Sequence, residues 1–315
     1  MRNRMFVYLL AAWTGLLGLA EAARAAELVF PPGLRIGLEP AGDLKLSHRF
    51  PGFEDSDRNV VVAILDLPSS AYHELETAAF NNNQRDLANV KRESFPFGSG
   101  IGFLISGTAQ QNGMTLHRWS LLSQAIGGTV QNLTALINVE VPESARSVYS
   151  DEVIRKMLAS VTFRPAPIQE QLSLLPFKLG DLAGFRVMQV LPTGSVILTE
   201  DATDRSGAQP FMIVSLERGG PAEVGDRPTF ARDLLASAPV RDLTLQSAES
   251  MRINGLPGYE IRAQGKDPAG ASVSLVQWLR FGGGGFLRVI GVSPTEKWSE
   301  AFSRFRALRD GITTR

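Results

Sequence analysis

The three histidines of this chain, His48, His73 and His117, are the residues whose chemistry is most open. Imidazoles bind zinc or act as general bases when they converge with carboxylates or with one another. His73 opens the run His-Glu-Leu-Glu-Thr, which lacks the second histidine of an HExxH zinc motif. His48 and His117 fall in predicted strands of the first half of the chain, so they are weak candidates for a site. The second half has no histidine, which argues against a duplicated metal site.

Other motifs give no local support for catalysis. The chain contains neither GxSxG nor SxxK, the two common serine-nucleophile signatures. The run Gly98–Gly102 lacks a third glycine at the spacing of a nucleotide loop, and no helix follows it, so it predicts a bulge or tight bend. Glu200, Asp201 and Asp204 do not have the spacing of a calcium loop. The sequence therefore predicts no catalytic residue, no metal ion and no cofactor.

A glycine tetrad in the second half is the remaining unusual motif. It predicts a flexible hairpin tip at the surface. A functional alternative is a backbone loop that approaches a partner. The tetrad consists of Gly282, Gly283, Gly284 and Gly285.

Composition narrows the class of protein. The 315 residues contain no cysteine, which excludes disulfides, thiolate nucleophiles and cysteine-bound metals. Lys and Arg together number 32, as do Asp and Glu, so no net charge attracts nucleic acid or an anionic membrane. The length predicts about two domains.

The amino terminus has the pattern of a secretory leader. Arg2 and Arg4 precede a mostly apolar stretch, Met5 to Ala20, and Ala23-Arg24-Ala25 is a small-x-small cleavage site. An uncleaved membrane helix is disfavoured because Glu21 and Arg24 come too early. We expect a signal peptide over residues 1–25, cleavage after Ala25, and a periplasmic protein if the host is Gram-negative. No later segment predicts membrane insertion.

The elements that must position any site occur twice. The outline of Leu34 to Val161 returns from Phe185 to Ile312, and Glu93-Ser94 matches Glu249-Ser250 at a separation of 156 residues. Three prolines interrupt the pattern in between. The sequence therefore predicts a first domain over residues 26–164, a linker over 165–180 and a second domain over 181–315.

Each copy has the predicted order β-β-β-α-β-β-β-β-α. Asn112-Gly113 is a strong hairpin signal, and VVVAILDLP predicts a strand buried on both faces. Ser147 or Ser150 is expected to cap the closing helix of the first copy, and Asp226 a helix of the second. Each closing helix has an apolar stripe, formed by Val153, Ile154, Met157, Leu158 and Val161 in the first copy and by Trp298, Phe302, Phe305, Leu308 and Ile312 in the second. Hairpin-linked strands with two helices predict an α+β fold in which helices cover an antiparallel sheet.

This order resembles the PsbP-like superfamily, which includes the photosystem II extrinsic protein PsbP and bacterial envelope proteins such as DcrB. The resemblance lies in GLRIGLEPAGDLKLSHRFPGF, VVVAILDLP with its following helix, and the closing LASVTFR, and it covers both copies. It implies an α/β/α sandwich in each copy. It also implies a binding or assembly role, and it transfers no functional residue to this chain.

Three hypotheses of function follow. The first is a non-enzymatic periplasmic binding or assembly protein, which binds an envelope protein or a small ligand. The second is an envelope hydrolase with a non-local site in the first domain, where His48 or His117 would meet a serine and a carboxylate. The third is a purely structural module of an envelope complex. The sequence leaves the partner and the oligomeric state open.

Overall fold

The computed structural model describes residues 27–81, 87–125, 130, 132–202 and 209–315. These residues form two compact units. The first unit contains residues 27–31 and 35–165, and the second contains residues 32–34 and 166–315. The predicted leader and its cleavage site lie outside the described residues.

The first unit is built on a seven-stranded antiparallel sheet. Its elements are β1 (Ile36–Gly37), β2 (Lys45–Leu46), β3 (Gly52–Asp55), β4 (Val60–Leu67), α1 (Ala71–Asn81), β5 (Ala88–Phe97), β6 (Gly100–Gln111), β7 (Met114–Gln124), β8 (Thr134–Pro142), α2 (Asp151–Ala159) and β9 (Thr162–Phe163). The strand order in the sheet is β2-β3-β4-β8-β7-β6-β5, while β1 and β9 pair separately.

The second unit repeats this architecture. Its elements are α3 (Ile168–Leu174), β10 (Phe177–Lys178), β11 (Arg186–Val190), β12 (Val196–Thr199), β13 (Phe211–Arg218), α4 (Arg227–Leu235), β14 (Arg241–Ile253), β15 (Leu256–Lys266), β16 (Ser272–Gly282), β17 (Gly285–Pro294), α5 (Trp298–Asp310) and β18 (Thr313–Thr314). The sheet order is β11-β12-β13-β17-β16-β15-β14, and β10 pairs with β18. The predicted fold class is confirmed, and each seven-stranded sheet with its two helices follows the predicted order β-β-β-α-β-β-β-β-α. The short strands β1, β9, β10 and β18 and the helix α3 are additional to that order.

The closing helices dock as their apolar stripes predict. In α2 the buried residues are Ile154, Met157 and Leu158, and Ser150 caps the helix by accepting a hydrogen bond from the Val153 N–H. In α5 the buried apolar residues include Phe305 and Leu308. Each helix therefore covers one face of its sheet. Asp226 is at the N-cap position of α4, as predicted, but its side chain makes no capping bond because its own backbone is already helical.

Helix α4 covers the opposite face of the second sheet. Ala231 and Leu235 are buried against it. The buried guanidinium of Arg288 donates to the Leu234 carbonyl and to Ser237 Oγ, and Gln277 Nε2 donates to the Ala231 carbonyl. A cation at a helix C-terminus is favourable because the carbonyl groups there carry partial negative charge. With α5 on one face and α4 on the other, the second unit is an α/β/α sandwich.

The corresponding face of the first sheet is less covered. Along β4, Val60, Val62 and Ile64 are buried, whereas Val61 and Ala63 are half-buried and Leu65 is exposed. The prediction of a strand buried on both faces was therefore wrong. The physical reason is that α2 covers one face, while none of the described α1 side chains is buried on the other.

Of the stretch predicted as a linker, 165–180, all residues after Pro165 belong to the second unit. It forms α3 and β10, and Leu175 and Phe177 are buried in the core under α5. Its prolines lie before α3 and at its end, so they frame a helix instead of a flexible connection. In the described part of the chain, no helix is long and apolar enough to cross a membrane.

Candidate functional site

Two of the three histidines are exposed and lie apart from any cluster. His48 follows β2 in an exposed segment, and its predicted position in a strand was wrong because β2 ends at Leu46. His73 is on α1 with its side chain 89% exposed, and its Nδ1 atom is 3.9 Å from Glu76 Oε2. Neither residue is held by the fold in an orientation for catalysis.

His117 lies on β7, as predicted, and both of its ring nitrogens are engaged. Nε2 is 2.5 Å from Glu143 Oε2, and Nδ1 is 2.9 Å from an Arg146 guanidinium nitrogen. A guanidinium only donates hydrogen bonds, so Nδ1 accepts and we assign the ring proton to Nε2, which donates to Glu143. The hydrogen bond from His117 lowers the pKa of the Glu143 carboxyl. A serine-activating base needs a nitrogen that faces the hydroxyl, and this arrangement uses both nitrogens to hold charged neighbours.

A buried carboxylate, Asp55, lies beside a small hollow of about 390 Å³ in the first unit. Asp55 accepts hydrogen bonds from Tyr149 Oη at 2.8 Å and from Arg58 at 2.9 Å, and from the backbone N–H groups of Asp57 and Arg58. Burial opposes its ionisation, but the bonds from Tyr149 and Arg58 outweigh burial and lower the pKa of Asp55. Burial and Asp55 raise the pKa of Tyr149. This network ties β3 to the segment before α2, and it engages both carboxylate oxygens of Asp55.

Metal binding has no support in the residues that the structure describes. Within residues 27–315, apart from the gaps at 82–86, 126–129, 131 and 203–208, no group of three or more His, Asp or Glu side chains is placed to hold a metal ion. Glu200, from the weak calcium motif, pairs with Arg304 of α5. Asp204 of that motif lies outside the described residues.

The glycine tetrad forms the β16–β17 hairpin. Gly283 and Gly284 occupy the turn with φ of 62° and 75°, a region that favours glycine. A Cβ on Gly285 would lie 2.2 Å from the Glu217 carbonyl oxygen of β13. Backbone geometry thus accounts for these glycines, and their role as a loop that approaches a partner stays a hypothesis.

A tryptophan at the same place in each sheet donates to a carboxylate. Trp119 pairs with Val139 across the β7–β8 register, and Trp278 pairs with Val289 across β16–β17. Trp119 Nε1 donates to Asp151 on α2, while Trp278 Nε1 donates at 2.6 Å to Glu260 on β15. Glu260 also accepts from Arg262 Nε at 2.6 Å. Both tryptophans are buried.

A candidate site that the sequence did not predict lies at one edge of the sheet, where β5 is the last strand of the first sheet and β14 the last strand of the second. Strands β5 and β14 are at corresponding edges, and each continues through a two-residue turn into the next strand. The residues that flank such a turn form a hydrogen-bonded pair, Phe97 with Gly100 and Ile253 with Leu256. In each edge strand, alternate residues therefore direct their backbone N–H and C=O groups away from the sheet. The series begins at the residue just before Phe97 in β5 and just before Ile253 in β14. In β5 one of these outward residues is Pro96, whereas the residue 156 positions later in β14 is Arg252.

We name the segment Ser247–Ile253 the open edge. Register shifts occupy β14 between Arg241 and Ser247, and the pairing with β15 is regular from Ser247 onward. Outward backbone groups belong to Ala248, Ser250 and Arg252, and in the described chain no backbone hydrogen bond reaches them. Pro96 was the sequence signal that separates the two edges, since proline within a sheet is confined to edge positions or bulges.

Comparisons with solved structures find chains that are similar to this one in fold. LpqN from Mycobacterium tuberculosis, involved in cell envelope biogenesis, is 11% identical with a TM-score of 0.36, over 44% of this chain and 83% of LpqN. Cyanobacterial PsbP from Synechocystis is 14% identical with a TM-score of 0.27, over 44% and 91%. The T6SS immunity protein TplEi from Pseudomonas aeruginosa is 10% identical with a TM-score of 0.30, over 91% and 96%. PsbP is thus among the similar structures, as the order of strands and helices predicts.

These likenesses concern the fold, and with TM-scores below 0.5 they carry no argument about function. No family model matches the sequence, and no curated protein matches it. Any functional conclusion therefore depends on the residues of the chain itself.

Proposed function

We propose that this protein is a non-enzymatic binding or assembly protein of the cell envelope, and that its ligand is another protein. The observation that supports this proposal is the open edge, Ser247–Ile253, at the outer edge of the second sheet. A strand with unpaired backbone donors and acceptors is a ready template for a strand of another chain.

The other edge segments of the two sheets are protected against pairing with another strand. This contrast supports the proposal that the open edge binds a partner protein. Sheet edges are normally blocked by bulges, prolines or short strands. The opposite edges of the two sheets end in β2, of two residues, and β11, of five. The first half of β14 has its register shifts, and β5 has both a shift and Pro96. Over seven residues the open edge has no bulge and no proline, and charged side chains, which can also block an edge, occur in it only at Glu249 and Arg252.

The envelope location is proposed from the leader sequence. Residues 1–25 have the charge, apolar stretch and cleavage pattern of an exported protein. Fractionation of cells that express the full chain, followed by mass spectrometry of its amino terminus, tests this point. We expect a mature chain that begins at Ala26 in the periplasmic fraction, and an intact leader in the cytoplasm would contradict it.

Binding is tested by cross-linking in the source organism. A photoreactive amino acid placed at Ser250 should form a saturable adduct with one protein, and the same group at Thr313, away from the open edge, should not. Co-purification of a small molecule with no protein adduct would contradict the proposal. Turnover of an ester or peptide substrate by the purified chain would also contradict it.

A further inference from the structure

We infer that the open edge receives an extended segment of the partner protein as an additional antiparallel strand, and that this segment places a lysine or arginine opposite Glu249. The inference rests on the proposed protein-binding function and names the chemistry of the partner at the same site. Three observations carry it: the direction of the backbone groups, the surroundings of Glu249, and the contrast with the equivalent edge of the first unit.

The backbone of the open edge fits a strand of about seven residues. Ala248, Ser250 and Arg252 each direct an N–H and a C=O outward, because the alternate residues pair with β15. An added antiparallel strand would form hydrogen-bonded pairs with these three residues. Glu249 and Met251 would then fall in non-hydrogen-bonded pairs, where opposite side chains approach most closely.

Glu249 lacks a counter-charge within its own unit. It lies directly opposite Glu260 in the β14–β15 register. The Glu260 side chain is 5% exposed and is held by Trp278 and Arg262. Like charges directly opposite one another on a sheet are unfavourable. No described side chain forms an ion pair or hydrogen bond with Glu249. A cation on an added strand would therefore supply the counter-charge that Glu249 lacks.

In the first unit, the carboxylate at the equivalent position has a cationic partner. Glu93, 156 residues before Glu249, lies opposite Leu104 in the β5–β6 register. Its carboxylate accepts a hydrogen bond at 2.7 Å from Arg155 of α2. Three residues later, Pro96 removes the outward N–H. The two edges therefore differ both in the backbone groups that they offer and in the charge that they leave unpaired.

A second copy of this chain is a poorer occupant than a distinct partner. Antiparallel pairing of two open edges in full places Ser250 opposite Ser250 and leaves Glu249 opposite Met251, without a counter-charge. Pairing centred on Glu249 places two carboxylates together. The β5 edge of another copy is blocked at Pro96.

The test uses two peptides and the full mature chain. The probe is the acetylated and amidated heptapeptide Thr-Thr-Val-Thr-Lys-Val-Thr, whose lysine falls opposite Glu249 in the antiparallel register. The control peptide has glutamate in place of lysine. Hydrogen exchange followed by NMR should show that the lysine peptide protects the amides of Ala248, Ser250 and Arg252. We expect it to bind about two- to fivefold more tightly than the glutamate peptide.

Three variants separate the possible outcomes. E249K should reverse the preference between the peptides, S250P should abolish binding because it removes a central outward N–H, and the matched S94P on β5 should leave binding unchanged. Equal binding of both peptides, protection of other amides, no binding of either peptide, or a wild-type homodimer that S250P dissociates would each overturn the inference. If S250P misfolds, the reversed preference of E249K decides the matter.

The inference and the proposed function can fail separately. If the partner identified by cross-linking binds S250P as tightly as the wild type, the inference is overturned while the protein-binding function stands. If the wild type binds the peptides but yields no protein adduct in cells, the proposed function fails. A partner that binds through an acidic strand would overturn the charge assignment.

Discussion

Titratable side chains that are buried or half-buried in this protein are held by converging hydrogen bonds. Asp55 receives two side-chain and two backbone donors. His117 is held between Glu143 and Arg146, and Glu260 between Trp278 and Arg262. Removing one partner from such a set leaves a desolvated group unpaired, which costs more than the net value of the bond. Substitutions at these positions should therefore be read out as stability.

Asp55 should contribute a pH-dependent part of the stability of the first unit. Its pKa in the folded protein is below the ordinary value of 3.8. Its contribution is therefore complete above the unfolded pKa and is lost as the pH falls through the folded pKa. We expect D55N to lower the free energy of unfolding at pH 7 by about 1–3 kcal/mol. Urea denaturation between pH 7 and pH 3 should show a weaker acid dependence in D55N than in the wild type.

The matched control for D55N is D57N, because Asp57 is exposed in the same turn and only its backbone N–H bonds to Asp55. D57N should keep the wild-type acid dependence. An acid profile of D55N that overlays the wild-type profile would show that Asp55 is not the titrating group.

Glu249 and Glu93 should respond in opposite directions to the same substitution. E249K replaces the carboxylate that faces Glu260, so we expect the free energy of unfolding to rise by about 0.2–1 kcal/mol. E93K breaks the ion pair with Arg155 and places two cations together, so the free energy of unfolding should fall by a similar amount. Denaturant titration of both variants at low ionic strength measures the difference. A decrease in E249K would mean that the Glu249–Glu260 pair is not repulsive.

At the scale of helices and strands, periodicity and turn residues predict the order of elements because they depend on neighbouring residues. Asn112-Gly113 forms the β6–β7 turn, and the stripe of α2 is buried as its spacing indicates. Contacts distant in sequence were not predictable in this way. Leu65 is exposed although it lies in an apolar run, and Phe177 is buried beside the β10–β18 pair, in which its partner Thr314 is 137 residues further along the chain. Neither fact has a local signal.

Gly285 should be the essential member of the glycine tetrad. A methyl group there meets the Glu217 carbonyl of β13, a backbone atom that moves only if the two strands separate. We expect G285A to lower the free energy of unfolding by about 1–3 kcal/mol, as overpacking does. In the control G282A, the new methyl lies 3.4 Å from Leu256, an ordinary contact, so stability should change little. Equal effects in thermal denaturation would contradict the close approach of β13 and β17.

At the scale of the whole molecule, the sequence shows the duplication and the residues that differ between the copies, but it does not show the strand order that gives those differences a consequence. The separation of 156 residues aligns Glu93 with Glu249 and Pro96 with Arg252. Whether these residues matter depends on β5 and β14 being edge strands, which only the strand order settles. The candidate site depends on a few differences within a repeated frame, since the second copy has neither a proline at the position of Pro96 nor an arginine paired with Glu249.

The unit boundaries lead to a final prediction about independent folding. The second unit has its own two-sided core, which includes Leu175 and Phe177. A fragment over residues 166–315 should therefore fold alone and give a dispersed NMR spectrum. A fragment over 181–315, the boundary that the prolines suggested, lacks Phe177 and leaves β18 without β10. Loss of a buried phenylalanine costs about 3–5 kcal/mol, a large part of the 5–15 kcal/mol that stabilises a typical domain. The shorter fragment should thus unfold at a lower urea concentration or remain unfolded, and equal midpoints for the two fragments would place 166–180 outside the second unit.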